Sequence, residues 1–298
     1  MCGIAGIINP NGTDVSTTLL DMLALIQHRG MDASGIAIYG KGEDTLLRVV
    51  LSKPGVHEKL LNLISEYGSV LSEKTSDKNA AVVFSEMKLQ MDSACIPALH
   101  AAINAVDGLY VHSIGRGMAV YKENGPLTNL TGRHPIGRRI GTHGIGHVRM
   151  ATESAEDVNA AHPFVSPFFP ELSIVHNGQF TNYYNVRRSL ESKGAQFKTL
   201  NDSEAASHFI AYQMKINGGD LEQALHAALD ELDGIFCIIA STPHQIGYVR
   251  DRLGIKPLLV FQDGDTTLFG SEQIEFTSLY PEVYAEEVEP GEVKIWNI

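Results

Sequence analysis

The sequence predicts an α+β protein in which sheets and helices are stacked in layers. Three observations favour this fold class. Many short apolar segments have the length of strands and end at turn signals, the helical segments are grouped rather than placed between every two strands, and no internal repeat is present. With 298 residues, the chain has the length of about two domains of ~150 residues each.

The first fifty residues predict three strands and one helix. Residues 3–8 form an apolar run that ends at an Asn-Pro-Asn-Gly turn and indicate a buried strand. Leucines and an isoleucine at helical spacing predict a helix over 16–27, with Ser16 as its N-cap. Two further strands, at 35–39 and 45–51, flank a glycine turn.

A change of composition indicates an inserted α/β subdomain over residues 53–140. This segment is nearly neutral, whereas the remainder of the chain is strongly acidic. We therefore predict a discontinuous main domain that consists of residues 1–52 and 141–298. The elements predicted inside the insertion are helices at 56–66 and 94–106 and strands at 80–85, 109–114 and 117–122, with a polar stretch at 72–79.

The remainder of the chain predicts two strands, then three helices, then a strand-rich end. Asp220 and Gln223 have the spacing of a capping box at the start of the third helix. The predicted elements are strands at 144–149 and 172–176, helices at 182–193, 203–216 and 220–232, and strands at 235–241, 246–250, 257–261, 267–270 and 292–296.

Composition argues against several functional classes. A net charge of −12, from 23 Lys and Arg against 35 Asp and Glu, does not favour binding to nucleic acid or to an anionic membrane. No apolar run reaches the ~18 residues of a transmembrane helix, and no signal peptide is visible. The three cysteines, at 2, 95 and 237, lack metal-type spacing and fit a reducing cytoplasm. His143 and His147 lack a third ligand, so no metal is expected.

Cys2 is the first candidate for chemistry. Removal of the initiator methionine is favoured before a small residue, and it would place a thiol and an α-amine on the same residue. Their reference pKa values, about 8.5 and about 7.7–8.0, allow the amine to accept the thiol proton and create a thiolate nucleophile. The alternative is a small buried residue at the start of a strand.

Three other segments carry candidate binding groups. Arg149 and Thr152, at the end of GIGHVRMAT, offer a forked cation and a hydroxyl for a carboxylate, or a surface ion pair. Asn177 and Gly178, at the end of IVHNG, offer two donors for an oxyanion, or a hairpin turn. Asp202 precedes a helix and offers a partner for a substrate ammonium, or a helix cap.

Taken together and in this order, ten segments resemble the class II glutamine amidotransferase domain of the N-terminal-nucleophile hydrolase superfamily. They span both ends of the chain and omit only the insertion. The segments are MCGIAGI (1–7), HRGMDASGI (28–36), GIGHVRMAT (144–152), NAAHPF (159–164), IVHNG (174–178), DSE (202–204), LDGIF (232–236), RDRLGIKPL (250–258), SE (271–272) and EPGEV (289–293).

The resemblance implies a four-layer αββα sandwich of two facing antiparallel sheets. It also implies hydrolysis of L-glutamine to L-glutamate and ammonia. By motif position, Cys2 corresponds to the nucleophile, which forms a thioester, and its own amine to the base. Asn177 and Gly178 correspond to the oxyanion hole.

The remaining implied roles concern binding of the free amino acid. Arg149 and Thr152 correspond to the group that binds the substrate α-carboxylate. Asp202 corresponds to the partner of the α-ammonium, to which Gly178 adds its carbonyl. Arg29 corresponds to a residue that braces the active-site loop. A pocket with one cation and one anion suits glutamine because the free amino acid is a zwitterion.

The architecture and the sequence GHVRMATES resemble the stand-alone amidotransferase subunit of glutamate synthase-like enzymes, including N-methylglutamate synthase. This resemblance implies a flavin-binding subunit and a glutamate-synthase-type β-helix subunit as partners. Flavin and iron–sulfur cofactors are then expected only on those partners, with none in this chain. The 53–140 insertion either docks the partners or is a surface elaboration. Two other functions stay open: a catalytically quiet scaffold subunit, and an amidohydrolase of the same superfamily acting on another linear amide.

Overall fold

The computed structural model describes residues 1–42, 44–76, 82–134, 136–150, 157–277 and 279–298. Within these residues the strands form three antiparallel sheets, and strands and helices are numbered here along the chain. No helix in this part of the chain is both long and apolar enough to cross a membrane.

The largest sheet has seven strands, and its outer face is covered by helices. In spatial order the strands are β15 (Glu286–Glu287), β13 (Leu259–Asp263), β14 (Thr266–Gly270), β1 (Gly3–Asp14), β8 (Ile140–Arg149), β2 (Ala33–Tyr39) and β7 (Met118–Asn124). The helices that pack on it are α1 (Val15–Leu25), α4 (Leu127–Arg133) and α8 (Ile274–Thr277).

The second sheet has five strands and faces the first. In spatial order the strands are β16 (Val293–Asn297), β12 (Gln245–Arg250), β11 (Gly234–Ser241), β10 (Phe169–Phe180) and β9 (Phe164–Ser166). The helices that cover its outer face are α5 (Tyr183–Ser192), α6 (Asp202–Ile216) and α7 (Leu221–Glu231).

The alternation of side chains along the strands produces this layering, because successive side chains of a strand point to opposite faces. In β1, Ala5 and Ile7 pack against the helices of the first sheet. Ile4 and Ile8 join the core between the two sheets, where they meet residues of the second sheet such as Ile239 of β11. Two facing sheets therefore lie between two helical layers, and the predicted α+β fold with a four-layer αββα sandwich is confirmed.

A third, four-stranded sheet has its own apolar core with two helices. Its strands are β4 (Gly68–Thr75), β5 (Val83–Met91), β3 (Thr45–Leu51) and β6 (Leu109–Gly115), and its helices are α2 (Val56–Ser65) and α3 (Ile96–Ala105). The boundaries of this sheet differ from those of the predicted insertion, 53–140. Its strand β3 precedes residue 53, whereas β7 is part of the seven-stranded sheet and α4 packs on that sheet. The division of the chain into domains stays a prediction.

The helix starts confirm one predicted cap and correct another. The Asp220 side chain accepts the Gln223 amide at 3.0 Å, as the capping-box spacing predicts for α7. In α1 the N-cap is Asp14, whose side chain accepts the Thr17 amide at 3.2 Å, and not Ser16. The Ser16 hydroxyl instead donates to the Asp14 side chain and to the Gly137 carbonyl, so it joins the helix start to the segment before β8.

Candidate active site

Cys2 lies at the end of the paired strands β1 and β8. Because Gly3 pairs with Val148, Cys2 falls beside the last residues of β8. Its Sγ atom is 3.8 Å from the Met150 carbonyl oxygen, and the residue is partly exposed. Cys2 is therefore not a buried core residue, which was the alternative interpretation.

Two side chains hold the backbone at the start of β1. The buried Arg29 donates from Nε to the Cys2 carbonyl at 2.9 Å and from Nη1 to Glu272 at 2.5 Å. The Ser271 hydroxyl accepts the Ile4 amide at 2.9 Å. Burial opposes ionisation of Glu272, but the hydrogen bond and charge of Arg29 lower the pKa of that carboxyl. These contacts are what the expected bracing role of Arg29 requires.

Arg149 ends β8 and is buried, with 3% of its surface exposed, so it is not a surface ion pair. Burial lowers the pKa of its guanidinium. The charges of Asp32, Asp157 and Asp202, and that of Cys2 when it is ionised, act in the opposite direction. Arg149 is thus a desolvated cation within electrostatic range of both Cys2 and Asp202. Such a group suits recognition of an incoming carboxylate.

Asn177 lies inside the long strand β10, so the Asn-Gly pair does not form a hairpin turn. The residue is 2% exposed, and its Nδ2 group has no hydrogen-bond partner among the described residues. Buried amide groups are almost always hydrogen-bonded in folded proteins. An unpartnered buried donor at the site is the arrangement that an oxyanion hole requires before substrate binds.

The position of Gly178 requires a glycine and leaves its peptide groups available. Its φ is +156°, and a Cβ atom would lie 2.0 Å from the Ile235 carbonyl oxygen. Gly178 lies opposite Phe236, whose N–H and C=O both bond to Asp251 on the far side of β11. In an antiparallel ladder this makes Gly178 part of a non-hydrogen-bonded pair, so its N–H and C=O point away from β11.

Asp202 is the first residue of α6, and the helix cap is Asn201, whose side chain accepts the Ser203 amide at 2.9 Å. The Asp202 carboxylate accepts the Phe180 amide at 3.1 Å and lies 4.0 Å from His176 Nδ1. It is therefore held at the end of β10, two residues beyond Gly178. The alternative interpretation of Asp202 as the cap is wrong.

The structure thus brings Cys2, Arg149, Asn177 and Asp202 to one region, at the ends of β1, β8 and β10. Thr152 lies outside the described residues. A cleft of about 370 Å³ lies elsewhere, at the opposite end of β2 and β8, and is lined by residues such as Lys41 and Arg116. We locate the candidate site by its chemical groups, because none of them lines this cleft.

Sequence reasoning assigned no role to three residues that support the site. Ser271 and Glu272 belong to a quoted motif, but only the structure shows that they hold β1 and Arg29. Glu275 is fully buried and accepts the Ser271 and Glu272 amides at 2.5 Å and 2.9 Å. His147 was considered only as a metal ligand. No group of three potential metal ligands occurs within the residues that the structure describes.

Comparisons with known proteins give related results for sequence and structure. A family model described as "Glutamine amidotransferase domain" matches residues 147–278. A putative glutamine amidotransferase from Methanothermobacter thermautotrophicus is 33% identical over 311 residues, which cover all of both chains. The glutamine amidotransferase-like protein GlxB from Rhizobium meliloti is 32% identical, with 100% of this chain and 98% of that protein covered.

Two solved structures share the fold. One is described as the allosteric regulatory enzyme of purine biosynthesis, with a TM-score of 0.65. The other is the glutamine phosphoribosylpyrophosphate amidotransferase from B. subtilis, with a TM-score of 0.61. Each is 21% identical and matches 99% of this chain, which spans about half (47%) of the length of either structure. At this identity the likeness shows the fold alone.

Proposed function

Because this chain belongs to the class II glutamine amidotransferase family, we propose that it hydrolyses L-glutamine to L-glutamate and ammonia with Cys2 as the nucleophile. One observation carries the proposal: the buried side-chain amide of Asn177, which has no hydrogen-bond partner among the described residues, lies in the same region as the thiol of Cys2. A buried donor without a partner costs stability, and the oxyanion that forms during hydrolysis would supply the acceptor that Asn177 lacks.

The proposed reaction proceeds through a thioester. The α-amine of Cys2 accepts the thiol proton, and the thiolate attacks the side-chain carbonyl carbon of glutamine. The Asn177 amide and the Gly178 N–H stabilise the resulting oxyanion, at about 3 kcal/mol for each well-placed donor. The C–N bond then breaks, the protonated α-amine gives its proton to the leaving ammonia, and water hydrolyses the thioester to glutamate.

Recognition of the free amino acid follows from two opposite charges. Arg149 binds the α-carboxylate, with Thr152 as the second group expected from its motif, and Asp202 binds the α-ammonium. A peptide-bound glutamine lacks both charged groups, so it offers neither a carboxylate to Arg149 nor an ammonium to Asp202. The pocket therefore selects free glutamine over glutamine side chains in proteins.

The proposed chemistry requires that the α-amine of Cys2 be unblocked. In the structure Met1 precedes Cys2, and its terminal nitrogen lies 3.1 Å from the Met150 sulfur. We propose that Met1 is removed in the active form. An intact mass one methionine below the full chain supports this, and full activity with Met1 retained contradicts it.

The primary test measures ammonia released from L-glutamine by the purified chain, together with any partner that co-purifies. We expect Cys2→Ala to abolish release. Cys95→Ala is the matched control because Cys95 lies in the four-stranded-sheet region and is also partly exposed; it should keep wild-type activity. Wild-type protein without glutaminase activity, or an active Cys2→Ala variant, would show that the proposal is wrong. Faster turnover of asparagine or of a peptide amide would favour the other-amide alternative.

We further propose that the ammonia is delivered to a synthase of the glutamate synthase-like or N-methylglutamate synthase type. Its flavin-binding and β-helix subunits would carry the flavin and iron–sulfur cofactors. The support is the resemblance of GHVRMATES and the separate four-stranded sheet, which offers a docking surface. Purification of the tagged chain from its native host should recover a partner with a flavin absorption spectrum. Recovery of the chain alone under conditions that preserve glutaminase activity would contradict this assignment.

A further inference from the structure

Two histidines on β8 each form a hydrogen bond to a backbone carbonyl of the opposite layer, one within β10 and one just after β11. His147 Nε2 lies 3.1 Å from the His176 carbonyl oxygen, and His143 Nε2 lies 2.8 Å from the Thr242 carbonyl oxygen. The Tyr39 hydroxyl of β2 also bonds to Ser173 and Ser241 of the opposite sheet. The core between the sheets is otherwise largely apolar, and apolar contacts do not fix direction. The two histidine bonds are directional links between the layers.

The His147 ring is held in one orientation. It is 1% exposed, and burial lowers its pKa to about 3, so it is neutral under ordinary conditions. A carbonyl only accepts hydrogen bonds, so the single ring proton must lie on Nε2. One face of the His147 ring stacks on the His162 ring, at a distance of 3.9 Å between the ring centroids. His147 is therefore a rigid, neutral donor.

The carbonyl that His147 binds lies on the edge of β10 that carries Gly178. His176 and Gly178 are two residues apart, so their peptide groups point to the same edge, away from β11. On that edge β9 pairs with β10 only as far as Ile174. Beyond Ile174 the edge has no strand partner among the described residues, and the His147 ring takes the place of one.

His147 also connects this edge to the nucleophile. In the seven-stranded sheet it pairs with Ile4, two residues after Cys2. The His147 side chain therefore joins β8, the strand paired with β1 next to Cys2, to the peptide unit that precedes Asn177.

We propose that His147 is a positioning residue: its hydrogen bond to the His176 carbonyl aligns the Asn177 amide and the Gly178 N–H with the thiol of Cys2. This inference rests on the proposed function. The oxyanion forms only in the transition state, so misaligned donors lower kcat and leave KM nearly unchanged. Replacing a residue that served only for folding would lower the stability of the protein and would not produce this selective loss of kcat.

The experiment compares phenylalanine and glutamine variants at both histidines in glutaminase assays. His147→Phe keeps a ring but loses the donor, and we expect kcat to fall by about 10- to 100-fold with KM within about twofold. His147→Gln restores an N–H near the Nε2 position, and we expect a loss of only about 3- to 10-fold. His143→Phe and His143→Gln are matched controls, because they make the same two changes to the same kind of bond away from Cys2. We expect them to lower the unfolding temperature with kcat within about twofold of wild type.

The outcomes separate the two proposals. Absence of glutamine hydrolysis in the wild type refutes the proposed function and does not concern His147. With an active wild type, unchanged kcat in His147→Phe, or an equal loss of kcat in His143→Phe, overturns the positioning role. Equal losses in the phenylalanine and glutamine variants of His147 also overturn it. If His147→Phe does not fold, His147→Gln and His143→Gln decide, and equal kcat values in these two overturn the proposal.

Discussion

Asn177 has a polar side chain that the fold buries without a hydrogen-bond partner among the described residues. Such a group lowers stability and is retained where a ligand or transition state supplies the missing acceptor. Arg149 is also buried, and the unfavourable burial of its guanidinium is offset by surrounding negative charges. At the scale of single residues, the site is recognised by buried polar groups whose burial lowers the stability of the fold.

The first prediction separates catalysis from stability at Asn177. We expect Asn177→Ala to lower kcat by about 10²- to 10³-fold, because one oxyanion donor is lost. The unfolding free energy should stay within about 1 kcal/mol of wild type, because lost packing is offset by removal of an unpartnered buried donor. Steady-state kinetics and urea unfolding measure the two effects.

Asn217 provides the control for this prediction. Its side-chain oxygen accepts the Gly219 and Asp220 amides. Asn217 follows the last residue of α6, at the opposite end of this helix from Asp202. Asn217→Ala should therefore lose about 1 kcal/mol of stability and keep its kcat. A large loss of stability in Asn177→Ala would contradict the assigned role of its amide.

A second prediction concerns the α-carboxylate. Arg149→Lys keeps the charge but loses the fork of donors, so we expect KM for glutamine to rise by about 10-fold or more. Arg252→Lys is the control, because Arg252 pairs with Asp230 at an exposed position. Equal KM values for both variants would remove Arg149 from the substrate-binding set.

At the scale of elements, short-range signals in the sequence predicted most helices and strands, and the failures have identifiable causes. No strand is predicted over Gly68–Thr75, and only the second half of this segment falls in the polar stretch at 72–79. The reason is that β4 is an edge strand of the four-stranded sheet, is largely exposed and shows no apolar alternation. The Asp220 cap of α7 was predictable since both partners lie within one turn. The β1 start was not, because Arg29, Ser271 and Glu272 meet it only after the chain has folded.

A third prediction tests the support of β1. Burial raises the pKa of Glu275 well above the ordinary value of 4.5. The folded protein therefore holds this proton more tightly, so the associated stability is fully present below about pH 4.5 and is lost as pH rises toward the folded-state pKa. Glu275→Gln keeps an oxygen acceptor for the Ser271 and Glu272 amides and does not titrate. We expect its unfolding free energy to fall less than that of wild type over this pH range.

Denaturant unfolding of both proteins at a series of pH values measures this difference. Because all other groups are common to the two proteins, the difference between their curves isolates Glu275. Parallel curves from pH 4.5 upward would show that the Glu275 pKa is not raised.

At the scale of the whole molecule, the site depends on pairings that no local pattern contains. Cys2 and Arg149 are brought together by the register of β1 on β8, and Asn177 arrives from the opposite sheet. Local periodicity predicted the strands, but the pairing of strands is set by packing over the whole chain. The resemblance of ten ordered segments supplied the expected layers, which is why the αββα sandwich was predicted while the contacts of Ser271 and His147 were not.

A fourth prediction concerns acid stability. His100 is fully buried in α3, its ring nitrogens have no hydrogen-bond partner in the described part of the chain, and burial lowers its pKa from 6.5 to about 3. A depressed pKa gives stability that is present above pH 6.5 and lost as pH falls toward 3. As pH falls between these limits, we expect the unfolding free energy of His100→Leu to rise relative to that of wild type by about 1.4 kcal/mol per pH unit. Denaturant unfolding of both proteins measures this. The same difference in unfolding free energy between His100→Leu and wild type at pH 7 and at pH 5 would contradict the prediction.

Arg29 holds Cys2 by a hydrogen bond to its carbonyl oxygen, and not to its side chain or nitrogen, which has a consequence for the proposed removal of Met1. Hydrolysis of the bond between the first two residues leaves this carbonyl, and every contact that follows it, unaltered. After the proposed removal of Met1, the new terminus would therefore still be held through the Cys2 carbonyl. Removal of Met1 requires neither that this contact be broken nor that it be formed again.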